Sequence, residues 1–248
     1  MGLLGDLLNK KEKETISTNQ DFWNWFTANE KAFFKVIKSG NNVEQNFFDV
    51  MSSQLNQLRK GYWYLAGMLN DTTAELILTA DGAAKNIAFV EDLVTDAPQL
   101  DGWKFTALKP EKDIDKIRIE MGELKFGKEN LWFCSNENPA YPDEIDISIV
   151  HPDYTEELKE PLTTGAFIFL DNYLGELTST TVIDYMEVIG KEQANSELIP
   201  IEKLKDFLIW RQKEFVEKYE GLRYNTDDDT YKSLHNHCIF PRFHNTHN

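Results

Sequence analysis

Between residues 19 and 61 apolar side chains return every three or four positions. Phe22, Phe26, Phe33 and Ile37 share one helical stripe that Gly40 closes, and either Asn19 or Asp21 can serve as N-cap. Val43, Phe47, Met51, Leu55 and Leu58 mark a second helix, closed by Gly61. A Ser-Gly-Asn-Asn link between them predicts an antiparallel helical hairpin. The period then shortens. Residues 62–68 and 74–79 read as strands around an Asn70-Asp71 turn, and Ala80-Asp81-Gly82 turns out of the second. Ile87, Val90, Leu93 and Val94 mark a helix that Pro98 stops, and residues 102–108 form a strand that Pro110 stops. This is a β-β-α-β unit.

The second half echoes it. Residues 114–120 and 124–126 are short strand candidates, and Gly127-Lys128 turns into a strand over 130–134. Ile145, Ile147 and Ile149 alternate with Asp146 and Ser148, the cleanest strand pattern in the chain. A helix is expected around 163–174, ended by Gly175, and a strand over 180–188. Strand–helix–strand thus occurs twice, although no residue motif repeats with it. Ile201, Leu204, Leu208, Phe215 and Tyr219 then lie on one face of a last helix, between Pro200 and Gly221. The pattern predicts an α+β fold: an N-terminal helical hairpin, a mixed, antiparallel-rich sheet in two related halves, and a C-terminal helix. Residues 1–19 read as a tail or short helix. Residues 20–222 read as one globular unit whose halves meet near 110–122, and 223–248 as a polar, His-containing tail.

Composition narrows the function. In 248 residues, 41% are hydrophobic, which supports a sizeable core. The formal charge is −16, so a nucleic-acid partner is not expected. Residues 151–200 hold two basic against ten acidic side chains, a solvated face or a surface for a basic partner. No apolar run reaches membrane-spanning length. Residues 1–9 do not form a secretory signal: the apolar stretch is short, Asp6 interrupts it, and the lysines follow it. Leu3, Leu4, Leu7 and Leu8 can share one face of a short docking helix or a small amphipathic anchor. Two cysteines without a partner pattern agree with the cytoplasm.

Few residues suggest chemistry. His235, His237, Cys238 and His244 are ligand types for zinc, copper or nickel, but their spacing matches no standard zinc module. Cys134 could be met by His151 from a neighbouring strand, a nucleophile and its base, or could be a core residue. Asp81-Gly82 lacks the further ligands of a calcium loop, and no phosphate-binding glycine loop, nucleophile elbow or zinc helix is present. No cofactor is expected. Trp23, Trp25 and Phe34 lie off the first helix's stripe; they pack under a sheet or face a partner.

Four patches carry a resemblance: residues 75–82 (ELILTADG), 89–94 (FVEDLV), 97–110 (APQLDGWKFTALKP), and 166–176 (AFIFLDNYLGE). Together they resemble a group of uncharacterised bacterial proteins with the pattern strand, Asp-Gly, helix, Ala-Pro, Gly-Trp, Leu-x-Pro, then Leu-Gly-Glu. The resemblance implies a bacterial, intracellular α+β protein and transfers no catalytic residue. Glu176 is the shared polar residue to watch, as a cap or as a pocket group. The leading expectation is a non-enzymatic interaction or scaffold protein, with a protein partner or a second copy of the chain. The rival is an enzyme or ligand-binding protein with a pocket between the halves, built from Trp103, His151, Asp171 and Glu176. A metal-binding tail is the third.

Overall fold

The computed structural model describes residues 15–137, 141–219, 223–225 and 230–232, with backbone alone from 217 onward. The chain forms two compact units, Met1–Lys109 and Pro110–Asn248.

In the first unit α1 spans Asn19–Ser39. Its cap is Thr18, one residue before the expected pair. Thr18 is extended, its hydroxyl accepts from the Asp21 N–H at 3.1 Å, and the Asp21 carboxylate accepts from the Thr18 N–H at 2.9 Å. Gly40 ends the helix at φ 69° and donates to the Val36 carbonyl. The second helix opens with a π-helical turn, Glu44–Phe48, and continues as α2, Asp49–Leu58. That turn keeps Phe47, Met51 and Leu55 all buried. β1 (Trp63–Asn70) and β2 (Thr73–Thr79) pair antiparallel; α3 (Ile87–Thr95) then leads to β3 (Trp103–Ala107), parallel to β2. The order is β1-β2-β3.

The pleat sorts this sheet into two faces. Tyr64, Ala66 and Met68 sit opposite Leu78, Leu76 and Ala74, and Ala74 and Leu76 opposite Trp103 and Phe105. This face meets the helices in one core. Trp23 and Phe34 pack there as well. The Trp23 ring meets Phe105 edge-on at 4.6 Å and its Nε1–H donates to the Leu93 carbonyl at 2.7 Å. Phe34 lies 6.3 Å from Trp103, and Trp25 packs on Phe22 and Phe33. The off-stripe aromatics therefore belong to the core.

The second unit opens with a 3-10 turn at Ile114–Lys116 and the small ribbon β4 (Ile119–Met121) and β5 (Leu124–Phe126), where one longer strand was expected over 114–120. Asp113 accepts from the Asp115 N–H and starts that turn. Four strands form the main sheet in the order β8-β7-β6-β9: β6 is Trp132–Asn136, β7 is Asp146–Val150, β8 is Tyr185–Ile189 and β9 is Ile199–Pro200. β6 and β7 are antiparallel, β7 and β8 parallel. The crossover is α4 (Lys159–Leu174) followed by α5 (Glu176–Thr181). α4 begins four residues before the expected start, because Pro161 falls in its first turn, where no N–H is needed. Thr180 and Thr181, the expected start of a strand over 180–188, instead end α5, and the strand begins at Tyr185. Gly175 at φ 78° turns the chain there, and tertiary packing overrides the β-branched preference.

Phe133, Ile147, Ile149 and Val188 form the core with Leu162, Ala166, Phe169 and Leu170 of α4 and with Leu204 and Leu208 of α6 (Leu204–Tyr219). Gly165 faces the Phe126 ring, and a Cβ there would overlap that ring. Arg223–Asn225 and Thr230–Lys232 pair as an antiparallel ribbon, β10 and β11, inside the stretch expected to be a tail. No helix among the described residues is long and apolar enough to cross a membrane.

Candidate functional site

Trp103 lies in the first unit; His151, Asp171 and Glu176 lie in the second. Trp103 starts β3 with its ring in the aromatic core, 4.9 Å from Phe26. Its Nε1–H is buried and has no hydrogen-bond partner among the described residues. Gly102 and Phe34, its neighbours, also line an open groove of about 570 Å³ with Glu30, Lys31, Gln99 and Asp101.

His151 follows β7 and is buried, packed 5.0 Å from the Phe126 ring. Its Nε2–H donates to the Lys125 carbonyl at 3.0 Å, and its Nδ1 accepts from the Asp153 N–H at 3.1 Å. The two bonds select one neutral tautomer and tie both ring nitrogens to backbone. The pleat also rules out the expected approach to Cys134. His151 continues the Ile147 and Ile149 series on the core face, whereas Cys134 pairs with Ser148 on the opposite face. Burial pushes the Cys134 thiol above the usual cysteine range, against a hydrogen bond with Ser196 that lowers it. A raised thiol is a poor nucleophile, and Cys134 is buried on the outer face of the sheet.

The Asp171 side chain and the Glu176 backbone meet at Ser179, at the corner from α4 to α5. The Ser179 hydroxyl donates to Asp171 Oδ1 at 2.6 Å and lies 3.2 Å from the Glu176 carbonyl. Glu176 is fully buried at the first position of α5. Ser179 thus holds the corner. His235, His237, Cys238 and His244 lie outside the described residues, as do Leu3, Leu4, Leu7 and Leu8. Among the described residues no group of three or more His, Cys, Asp or Glu is placed to hold a metal.

Two features escaped the sequence reading. The first is a polar line on the face of the second sheet away from α4. Asn136 donates to the Ser148 hydroxyl at 2.9 Å, and Ser148 donates to Glu187 Oε1 at 2.9 Å. Next to it Asp184 accepts from the Ile145 N–H at 2.8 Å, and Asp146 Oδ1 is buried with no partner among the described residues. Burial first, and then the Asp184 charge, raises the Asp146 carboxyl above the ordinary aspartate value. The period-two pattern of residues 145–150 placed Asp146 and Ser148 on one face, but the partners across β6 and β8 depend on register.

The second is the outer face of the first sheet. Trp63, Leu65 and Leu69 are each at least half exposed (58%, 50% and 52%). Leu65 and Leu69 border a groove of about 250 Å³ with Gly67, Glu75 and Ile77. Glu75 is held at its floor by Lys104 at 2.7 Å and by the Thr106 hydroxyl at 2.6 Å. Burial works to raise the Glu75 carboxyl; the bonds from Lys104 and Thr106 outweigh it, and the pKa falls below the ordinary glutamate value. An apolar row of this kind on a sheet face is a candidate interaction surface. The strand alternation over 62–68 was the available signal, but it did not say which face the helices would cover.

No protein-family model, curated protein or solved structure matches this chain.

Proposed function

We propose that this chain is a non-enzymatic interaction protein that binds a polypeptide through the outer face of its first sheet. The observation that carries the reading is the exposed row Trp63, Leu65 and Leu69 around the Gly67 groove. The chemistry-bearing candidates support it by being committed elsewhere: both nitrogens of His151 to backbone, Asp171 to Ser179, and Cys134 to a buried position with a raised thiol pKa. The same reading takes the chain as a cytoplasmic protein of the uncharacterised bacterial family its patches resemble. Those patches serve geometry here. Gly102 takes φ 80° before Trp103, Leu108 takes φ 63° after β3, and Gly175 turns α4 into α5. A photo-crosslinking residue at position 65 of the full chain, expressed in cells, tests the reading. A single crosslinked polypeptide species is expected, absent when the same residue replaces Glu120 on β4. No adduct at position 65 would overturn it.

A second reading, a small ligand in the groove beside Trp103, has one observation in its favour: the partnerless Nε1–H of that side chain. A ligand carrying a hydrogen-bond acceptor would shift the Trp103 indole proton resonance, assigned by its loss in Trp103→Phe. A fragment library that never moves it removes this reading.

A further inference from the structure

We propose that the polypeptide bound at the first sheet is a second copy of this chain, and that the two copies join β1 to β1, antiparallel, about a two-fold axis at Ala66. This rests on the interaction reading above and names its partner.

The edge itself is the first argument. β1 is an outer strand of its sheet and runs for eight residues, Trp63–Asn70, without a charged side chain or a proline. Exposed edges normally carry lysine, proline, inward charges or an overlying loop, because unpaired N–H and C=O groups otherwise recruit another strand. The only irregularity in β1 is a register shift between Met68 and Asn70, at its far end. An unprotected edge of this length fits a strand partner.

Gly67 is the second. It sits in the middle of β1, away from positive φ, and a Cβ built on it would meet nothing within 4 Å. Neither backbone conformation nor space inside the chain asks for glycine there, although glycine weakens a strand interior. Pairing about Ala66 supplies the reason. In that register each Leu65 faces Gly67 of the other copy, and each Trp63 faces Leu69. Facing residues on an antiparallel pair bring their side chains to the same side. The Leu65 side chain of one copy then enters the Gly67 groove of the other, and the two-fold fills both grooves at once.

Charge is the third. Lys60 precedes β1 and Asp71 follows it, and both are exposed. Antiparallel pairing about Ala66 sets Lys60 of one copy opposite Thr72 of the other, one residue from Asp71, at both ends. The nearby Arg59 is already spent on the Phe89 ring, 3.4 Å from its centroid. A parallel arrangement would set like charges together.

Sedimentation equilibrium of the full chain tests this. A mass near twice 28.8 kDa is expected, dissociating on dilution. Leu65→Lys should reduce it to one chain with the circular dichroism unchanged, since the side chain is exposed in the single copy. Gly67→Val should weaken self-association by about tenfold or more without lowering the unfolding temperature of the monomer, which separates a partner contact from a folding role. With Cys238 replaced by Ser, the double variant Leu65→Cys/Gly67→Cys should form disulfide-linked dimers on mild oxidation, because facing positions lie about 4.5–5.5 Å apart. One-chain mass at every concentration sinks the proposal, as does a dimer indifferent to both substitutions. Should the purified chain be monomeric while position 65 crosslinks a different polypeptide in cells, self-pairing fails and the interaction reading survives. If position 65 crosslinks nothing, both fail.

Discussion

The two sheets share a plan and differ on one face. In each, an antiparallel pair is followed by a helical crossover to a parallel strand: β1-β2-α3-β3 in the first unit, and β6-β7-α4-α5-β8 in the second. In each, a hydroxyl and a carboxylate bridge the parallel pair on the face away from the crossover helix, Thr106 with Glu75 and Ser148 with Glu187. Around that bridge the surroundings diverge. The first sheet leaves Trp63 and Leu65 in solvent, whereas the second buries Cys134, Ser148 and Val150 to 2% exposure or less. Charge diverges with them. Residues 1–109 hold 11 basic and 14 acidic side chains, and residues 110–248 hold 15 and 28. A common backbone plan therefore does not set what a sheet's second face does. That depends on whether the face is covered, and an uncovered apolar face is available for association.

Substitutions should break this contrast in a graded way. The largest effect belongs to the second core. Phe126→Ala empties the space between Gly165 and His151 and should cost about 3–5 kcal/mol in chemical denaturation. Gly165→Ala should also destabilise, by about 1–3 kcal/mol, and combining it with Phe126→Leu should recover part of that loss. Equal and additive losses would mean the ring does not rest on Gly165.

Next comes His151→Ala, which strands the Lys125 carbonyl and the Asp153 N–H and should cost about 1–3 kcal/mol. Retained stability would show that neither bond is structural. Ser148→Ala, in the covered outer face, should cost about 1–2 kcal/mol, whereas Leu65→Lys in the open one should change monomer stability by no more than about 0.5 kcal/mol. Similar values for the two would erase the difference between the faces.

The smallest effects sharpen the contrast through pH. The Glu75 carboxyl is depressed in the folded state, so its stabilisation is present above the unfolded pKa and is lost as pH falls through the folded one. Lys104→Met with Thr106→Val should flatten that acid slope. Asp146 is shifted the other way. Its folded pKa is raised, so stability is greater below the unfolded pKa and is lost as pH rises through the folded one. Asp146→Asn should therefore raise the unfolding temperature at neutral pH, with the gain vanishing in acid. An acid-side gain would reverse the assignment.

Much of the frame was legible. The i, i+4 stripe of Phe22 and Phe26, the alternation of Ile145, Ile147 and Ile149, and the glycine stop at Gly40 each describe local geometry that tertiary contacts then reinforce. The misses are where local and global preferences part. Thr180 and Thr181 are β-branched and yet helical, because the corner at Gly175 and the Ser179 bond to Asp171 hold a helical turn there. Of the candidate site, Asp171 and Glu176 lie five residues apart at the turn from α4 to α5, a closeness that the sequence itself carries. The link from Cys134 to His151 failed because strand neighbours share a face only when register and pleat agree, and register is not written in either strand alone.

From its sequence this chain owes its longer helices and the strands with a clean alternation, since those follow from periods of 3.6 and 2 acting within a few residues. The exposed row on β1, the Asn136–Ser148–Glu187 line and the backbone ties of His151 come only from the folded chain. They join residues 12, 39 and 26 positions apart, or depend on what does not cover a face, and no local period encodes either.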